Sequence, residues 1–123
     1  MTQDPPPILV VDDDVDMCLT IQDVLDLEGF SSVIAHSGLQ ALDLARTQEF
    51  RAVLMDMKMP GLDGVETYRF FKDIAPHTPV IMMTAFAMQK LLQEALDLGA
   101  CGALHKPLDI DELFRVLRRC IAA

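Results

Sequence analysis

Positive charge is scarce in this chain. Ten lysines and arginines stand against nineteen aspartates and glutamates over 123 residues, a formal net charge of −9. A surface of that sign repels phosphate backbones, so this segment is not expected to bind nucleic acid directly, while a basic protein partner remains open. Cysteine is sparse too. Cys18, Cys101 and Cys120 are odd in number and too far apart in sequence for a Cys-x-x-Cys motif, so free thiols in a reducing cytosol are expected. Met1-Thr2-Gln3-Asp4 lacks the basic and apolar regions of a signal peptide. No apolar run approaches the length of a bilayer span, so the reading is cytoplasmic with no membrane partner. Internal repeats are lacking, and His36, His77 and His105 have no metal-ligand spacing.

What is there is an apolar chain, 51% hydrophobic, long enough for one domain with its own core. Pro5-Pro6-Pro7 makes residues 1–7 a stiff, extended lead-in that cannot join a central strand, leaving 8–123 as the folded unit. Apolar runs then alternate with helical patterns five times. The runs predict strands over Ile8–Val11, Ser32–Ala35, Ala52–Met55, Pro79–Met83 and Ala103–His105. Cys18, Ile21 and Leu25 share one helical face, with Gly29 as its stop. Ser37 and Gln40, Asp63 and Glu66, and Asp109 and Glu112 have capping-box spacing and mark helix starts. Leu91, Leu92, Ala95 and Leu96 form a stripe closed by Gly99, and Leu113, Val116, Leu117, Cys120 and Ile121 form the last one. Five strand–helix units in series predict an α/β fold, a doubly wound parallel sheet with helices on both faces.

In such sheets ligands bind beyond the carboxyl ends of the strands. Asp12 and Asp13 follow the first strand, Asp56 the third, Thr84 and Ala85 the fourth, and Lys106 and Pro107 the fifth. The second strand offers only His36 and Ser37. Three carboxylates, a hydroxyl and an ammonium therefore converge on one sheet edge. Two carboxylates about 4 Å apart repel by roughly 4 kcal/mol at an effective dielectric near 20. Such a group is either fully solvated or joined by a cation, and Mg²⁺ with a phosphoryl group suits the set. A carboxylate can attack phosphorus to form an acyl phosphate, and the metal, amine and hydroxyl can neutralise or bond the phosphoryl oxygens. Each residue alone has a plainer role, as a cap, a strand-end hydroxyl or a surface lysine. Their joint placement lifts them.

The motifs Val-Val-Asp12-Asp13-Asp14, Met-Asp56-Met-Lys-Met-Pro60-Gly-Leu-Asp-Gly64, Met-Thr84-Ala85, Leu-Gly99-Ala100 and Lys106-Pro107 stand in order. Together they resemble a response-regulator receiver domain, from Ile8 to about Ile121. The resemblance implies a five-stranded sheet of order 2-1-3-4-5 with five helices, and a cis Lys106–Pro107 bond. It implies that Asp56 accepts phosphate from a histidine kinase or a phosphotransfer protein. Asp13 and Asp56 would ligate Mg²⁺ with Asp12 assisting, and the Lys58 carbonyl would be a further ligand. Thr84 and Ala85 would meet the phosphoryl group and Lys106 would pair with it. The face of helix 4, strand 5 and helix 5 would carry a homodimer or an output domain. The chain would be a signalling switch and no enzyme, beyond its own aspartyl phosphorylation and slow dephosphorylation. A phosphatase of the haloacid-dehalogenase type needs Asp-x-Asp, which Asp56-Met57-Lys58 lacks. The alternative is a degenerate receiver acting only as a protein-interaction module.

Two departures matter. Receivers usually carry Tyr or Phe at the position held here by Ala103, and a methyl group cannot swing inward to report Thr84. Strand period puts His105 on the same face, so the expectation is repacking of Phe86 or His105 instead. Lys58 and Phe86 stand two residues beyond the acceptor and the Thr, where family behaviour puts control of phosphoryl lifetime. A long cation and a bulky ring should shield the acyl phosphate from water and cannot act as its general base, predicting slow self-dephosphorylation.

Overall fold

The computed structural model describes residues 4–85 and 88–122. Its elements, in chain order, are β1 (Ile8–Val11), α1 (Val15–Leu27), β2 (Ser32–Ala35), α2 (Gly38–Thr47), β3 (Ala52–Asp56), α3 (Gly64–Ile74), β4 (Val80–Thr84), α4 (Gln89–Asp97), β5 (Gly102–His105) and α5 (Ile110–Ala122). The strands pair in parallel in the order β2-β1-β3-β4-β5. Strands β3 and β4 run one residue further than their apolar runs suggest. Asp56 and Thr84 are thus the last paired residues of those strands, not the first of the loops.

Alternation along each strand feeds two cores. Ile8, Val10, Leu54, Ile81, Met83 and Leu104 pack with Cys18, Ile21 and Leu25 of α1 and Leu113 and Leu117 of α5. Leu9, Val11, Val53, Met55, Val80 and Met82 pack on the other face with residues of α2, α3 and α4. The central strands β1, β3 and β4 are buried throughout, which explains their unbroken apolar runs. Met55, Met57, Met59, Met82 and Met83 are all buried core residues.

Caps set the helix starts. Asp14 accepts from the Met17 N–H to open α1. Asp63 and Glu66 form a full capping box, each side chain accepting from the other's backbone N–H at 2.8 and 3.1 Å. At α2 only half of the expected box forms: Ser37 accepts from the Gln40 N–H, but the Gln40 side chain accepts from the His36 N–H. Asp109 accepts from the N–H groups of Asp111 and Glu112 before α5. Gly29 and Gly99 end α1 and α4 with φ of 84° and 113°. The Lys106–Pro107 peptide bond is cis.

The cysteines correct the sequence reading. Cys101 and Cys120 are joined in a disulfide, with Cα atoms 5.9 Å apart, and only Cys18 is a free, buried thiol. A separation of 19 residues conceals the pair, because α5 runs back across the sheet and lays its last turn beside the start of β5. No helix among the described residues is long and apolar enough to cross a membrane.

Candidate functional site

The two carboxylates at the end of β1 meet different surroundings. Asp12 is fully buried and Asp13 is exposed. Asp12 Oδ1 accepts from the Asp14 N–H at 3.0 Å, and its Oδ2 accepts from Lys106 Nζ at 2.8 Å. The same ammonium lies 3.3 Å from Asp56 Oδ1, which also accepts from the Lys58 N–H at 3.4 Å. Lys106 therefore bridges the two buried acids. Carboxylate oxygens of Asp12, Asp13 and Asp56 lie within 4.8 Å of one another. Three hard oxygen donors, one of them open to solvent, suit a divalent ion that keeps part of its water shell.

Local structure holds these groups in place. Gly64 opens α3 hard against the end of β3, and its N–H donates to the Met57 carbonyl. A Cβ there would fall 2.4 Å from the Asp56 carbonyl oxygen and 2.7 Å from Met57 Cα, so only glycine permits the approach. The Met57 N–H donates to the Met83 carbonyl, and the Lys106 N–H donates to the Thr84 carbonyl. Backbone bonds thus fasten the residues after β3 and β5 to strand β4.

Charge follows from burial. Asp56 is pushed up from 3.8 to about 6, first by desolvation and then by the neighbouring Asp12 carboxylate, with Lys106 opposing both. For Lys106, burial pulls downward, yet the pull of Asp12 and Asp56 outweighs it and leaves the ammonium above its usual range. The Cys18 thiol is driven to about 11 by burial and by Asp12 and Asp14. It donates to the Asp12 carbonyl and is an unreactive neighbour of the site.

The structure thus gathers Asp12, Asp13, Asp56 and Lys106. Thr84 is buried at the same strand edge, but its hydroxyl donates to the Ala85 carbonyl at 3.0 Å, and Ala85 itself is exposed. The Lys58 side chain is exposed. Phe86 lies outside the described residues. Ala103 pairs with Met82 and His105 with Thr84, so His105 and Ala103 share the face of Thr84. One neighbour escaped sequence reasoning: His36 Nδ1 lies 3.2 Å from the Asp12 carbonyl oxygen. The parallel register of Val11 with Ala35 carries the signal, since it sets the next residues, Asp12 and His36, side by side.

The response regulator receiver domain model matches residues 8–118. The chain belongs to that family. This receiver domain is 42% identical over 122 residues to the transcriptional regulatory protein ZraR of Escherichia coli K12, covering 99% of the chain but only 28% of that protein. It is 41% identical over 106 residues to sporulation initiation phosphotransferase F of Bacillus subtilis, covering 86% of each. Among solved structures, a CheY-like receiver domain from Methanospirillum hungatei superposes with a TM-score of 0.91 at 25% identity, over 97% of this chain and 95% of that one. The receiver domain of a Pseudomonas aeruginosa sensor histidine kinase, described with magnesium coordinated in its active-site cleft, superposes at 0.87 and 31% identity, over 98% of this chain and all 100% of that one. Receiver domains are phospho-acceptor modules of two-component signalling and meet histidine kinases or phosphotransfer proteins. The degenerate alternative is not favoured.

Proposed function

We propose that Asp56 is the phospho-acceptor and that Asp12, Asp13, Asp56 and the Lys58 backbone carbonyl hold Mg²⁺. The observation that carries this is the Lys106 ammonium shared between buried Asp12 and Asp56, with exposed Asp13 beside them. A bound Mg²⁺ supplies charge neutralisation between the acids and the incoming phosphoryl oxygens. The free Asp56 oxygen attacks phosphorus, and the P–N bond to the donor histidine breaks. Lys106 turns from the carboxylates toward a phosphoryl oxygen. Thr84 exchanges its bond to the Ala85 carbonyl for one to the phosphoryl group, and the Ala85 backbone lines that position. Acetyl phosphate with magnesium should add one phosphoryl mass to the peptide carrying Asp56, and Asp56→Asn should abolish it. Labelling elsewhere, or none, would refute the assignment.

The same reading covers the rest of the switch. Residues 1–7 are the lead-in and 8–123 the working unit, in the cytoplasm with its kinase or phosphotransfer partner. It is no enzyme beyond its own phosphorylation and slow dephosphorylation. The surface of α4, β5 and α5 serves a homodimer or an output domain, while the net charge of −9 argues against direct nucleic-acid contact by this segment. With Ala103 in place of an aromatic ring, the movement of Thr84 passes to its strand neighbour His105 or to Phe86, which lies outside the described residues. Amide NMR shifts in β4, β5 and α4 should change with beryllofluoride and magnesium; silence there would remove the relay. By their positions two residues beyond Asp56 and Thr84, Lys58 and Phe86 are assigned control of the acyl-phosphate lifetime, so Lys58→Ala and Phe86→Ala should each shorten its half-life.

A further inference from the structure

A cleft of about 720 Å³ opens at the end of the sheet opposite the acidic site. Its position follows from the lining: Arg51 precedes β3, Pro79 precedes β4 and Cys101 precedes β5. Lys72 and His77 add further basic side chains, and among the described residues no carboxylate side chain lines the cleft. In a chain of net charge −9 this is an island of opposite sign. The Cys101–Cys120 disulfide opens onto it.

The bond is reachable from that cleft. Cys101 is partly buried and lines the cleft, whereas Cys120 is 3% exposed. The link is not the chain's only source of stability, since both faces of the sheet carry an apolar core. Closeness is built into the backbone. A Cβ on Gly102 would lie 2.9 Å from Val116 Cγ1 and 3.9 Å from Cys120 Sγ, so glycine lets the last turns of α5 settle onto β5. When the bond opens, the two sulfurs stay neighbours and can close again.

We infer that Cys101 and Cys120 form a reversible dithiol–disulfide site that exchanges with anionic small-molecule disulfides of the glutathione class through this basic cleft. In the oxidising direction the Cys101 thiolate attacks one sulfur of glutathione disulfide, and one glutathione thiolate leaves. The Cys120 thiolate then attacks the Cys101 sulfur and expels the second. Two electrons pass from the protein thiols to the small disulfide, and their two protons go to the released thiolates. Oxidation pins the end of α5 to the start of β5. The acidic site lies at the far end of β5, so its chemistry continues in both states.

The test is a redox titration of the whole chain in glutathione buffers spanning the cytosolic and endoplasmic ranges, with free thiols alkylated under acid quench and counted by mass. A single two-electron conversion joining Cys101 to Cys120, with Cys18 still reduced, is expected. Cys120→Ser should trap one glutathione on Cys101. Glutathione disulfide should oxidise the pair several-fold faster than the cationic disulfide cystamine at low salt, each rate taken relative to free cysteine, and the gap should close as salt rises. A pair that stays bonded, or stays reduced, across the whole range overturns the proposal. So does faster reaction with cystamine, or glutathione appearing on Cys18.

Discussion

Asp56 is held between two demands. Burial beside Asp12 makes its ionised form costly, yet both of its proposed roles, metal binding and attack on phosphorus, need it ionised. Folding raises its pKa from 3.8 to about 6, so the folded state holds the proton more tightly than the unfolded chain does. In the absence of metal, stability should therefore fall by about 1–3 kcal/mol as pH rises from 4 to 6, then level off. Urea unfolding at several pH values checks this, and Asp56→Asn should flatten the slope. Magnesium affinity should climb through the same interval, because the ion competes with that proton. Lys106 answers for two acids at once. Lys106→Ala leaves both without their counter-ion and should cost about 3 kcal/mol at neutral pH, part of it restored by added magnesium.

Among the elements, α3 bears most directly on Asp56, the proposed acceptor. Its start is fixed from two sides: the Asp63–Glu66 box satisfies the first N–H groups, and Gly64 allows contact with the end of β3. Asp63→Ala should lower stability by about 1 kcal/mol and leave phosphorylation intact. Gly64→Ala drives a methyl group into the backbone of Asp56 and Met57; it should cost roughly 1–3 kcal/mol and slow phosphorylation as well. Comparing the two variants by urea midpoint and labelling rate separates loss of a cap from displacement of the acceptor. These local signals were readable in the chain. Unbroken apolar runs announced the buried strands, and Asp63 with Glu66 marked the start of α3. The half-formed box at α2 was not readable, because the reach of Gln40 toward the His36 N–H depends on how β2 turns into the helix. The extra paired residue at Asp56 was missed for a related reason: parallel pairing with Met83 extends the strand past its last apolar side chain.

For the molecule as a whole, legibility divides by what brings residues together. Strand-end residues of a parallel sheet must share an edge once the strands align, so Asp12, Asp13, Asp56, Thr84 and Lys106 could be assembled from sequence. Cys101 and Cys120 could not, since their meeting depends on the angle at which α5 returns over β5. Closing a loop of that length restricts the unfolded chain, and its reduction should lower global stability by about 3 kcal/mol. Urea denaturation with and without reductant measures it; an unchanged midpoint would mean that the unfolded chain is already constrained there.

Lys106 meets Asp12 across 94 positions of sequence. A polypeptide that ended between Asp56 and Lys106 would hold both acids without the ammonium that bridges them. On the proposed assignment, copies cut short before Lys106 lack the counter-ion of their acceptor, and a phosphodonor should label them poorly beside chains completed to nearly their last helix.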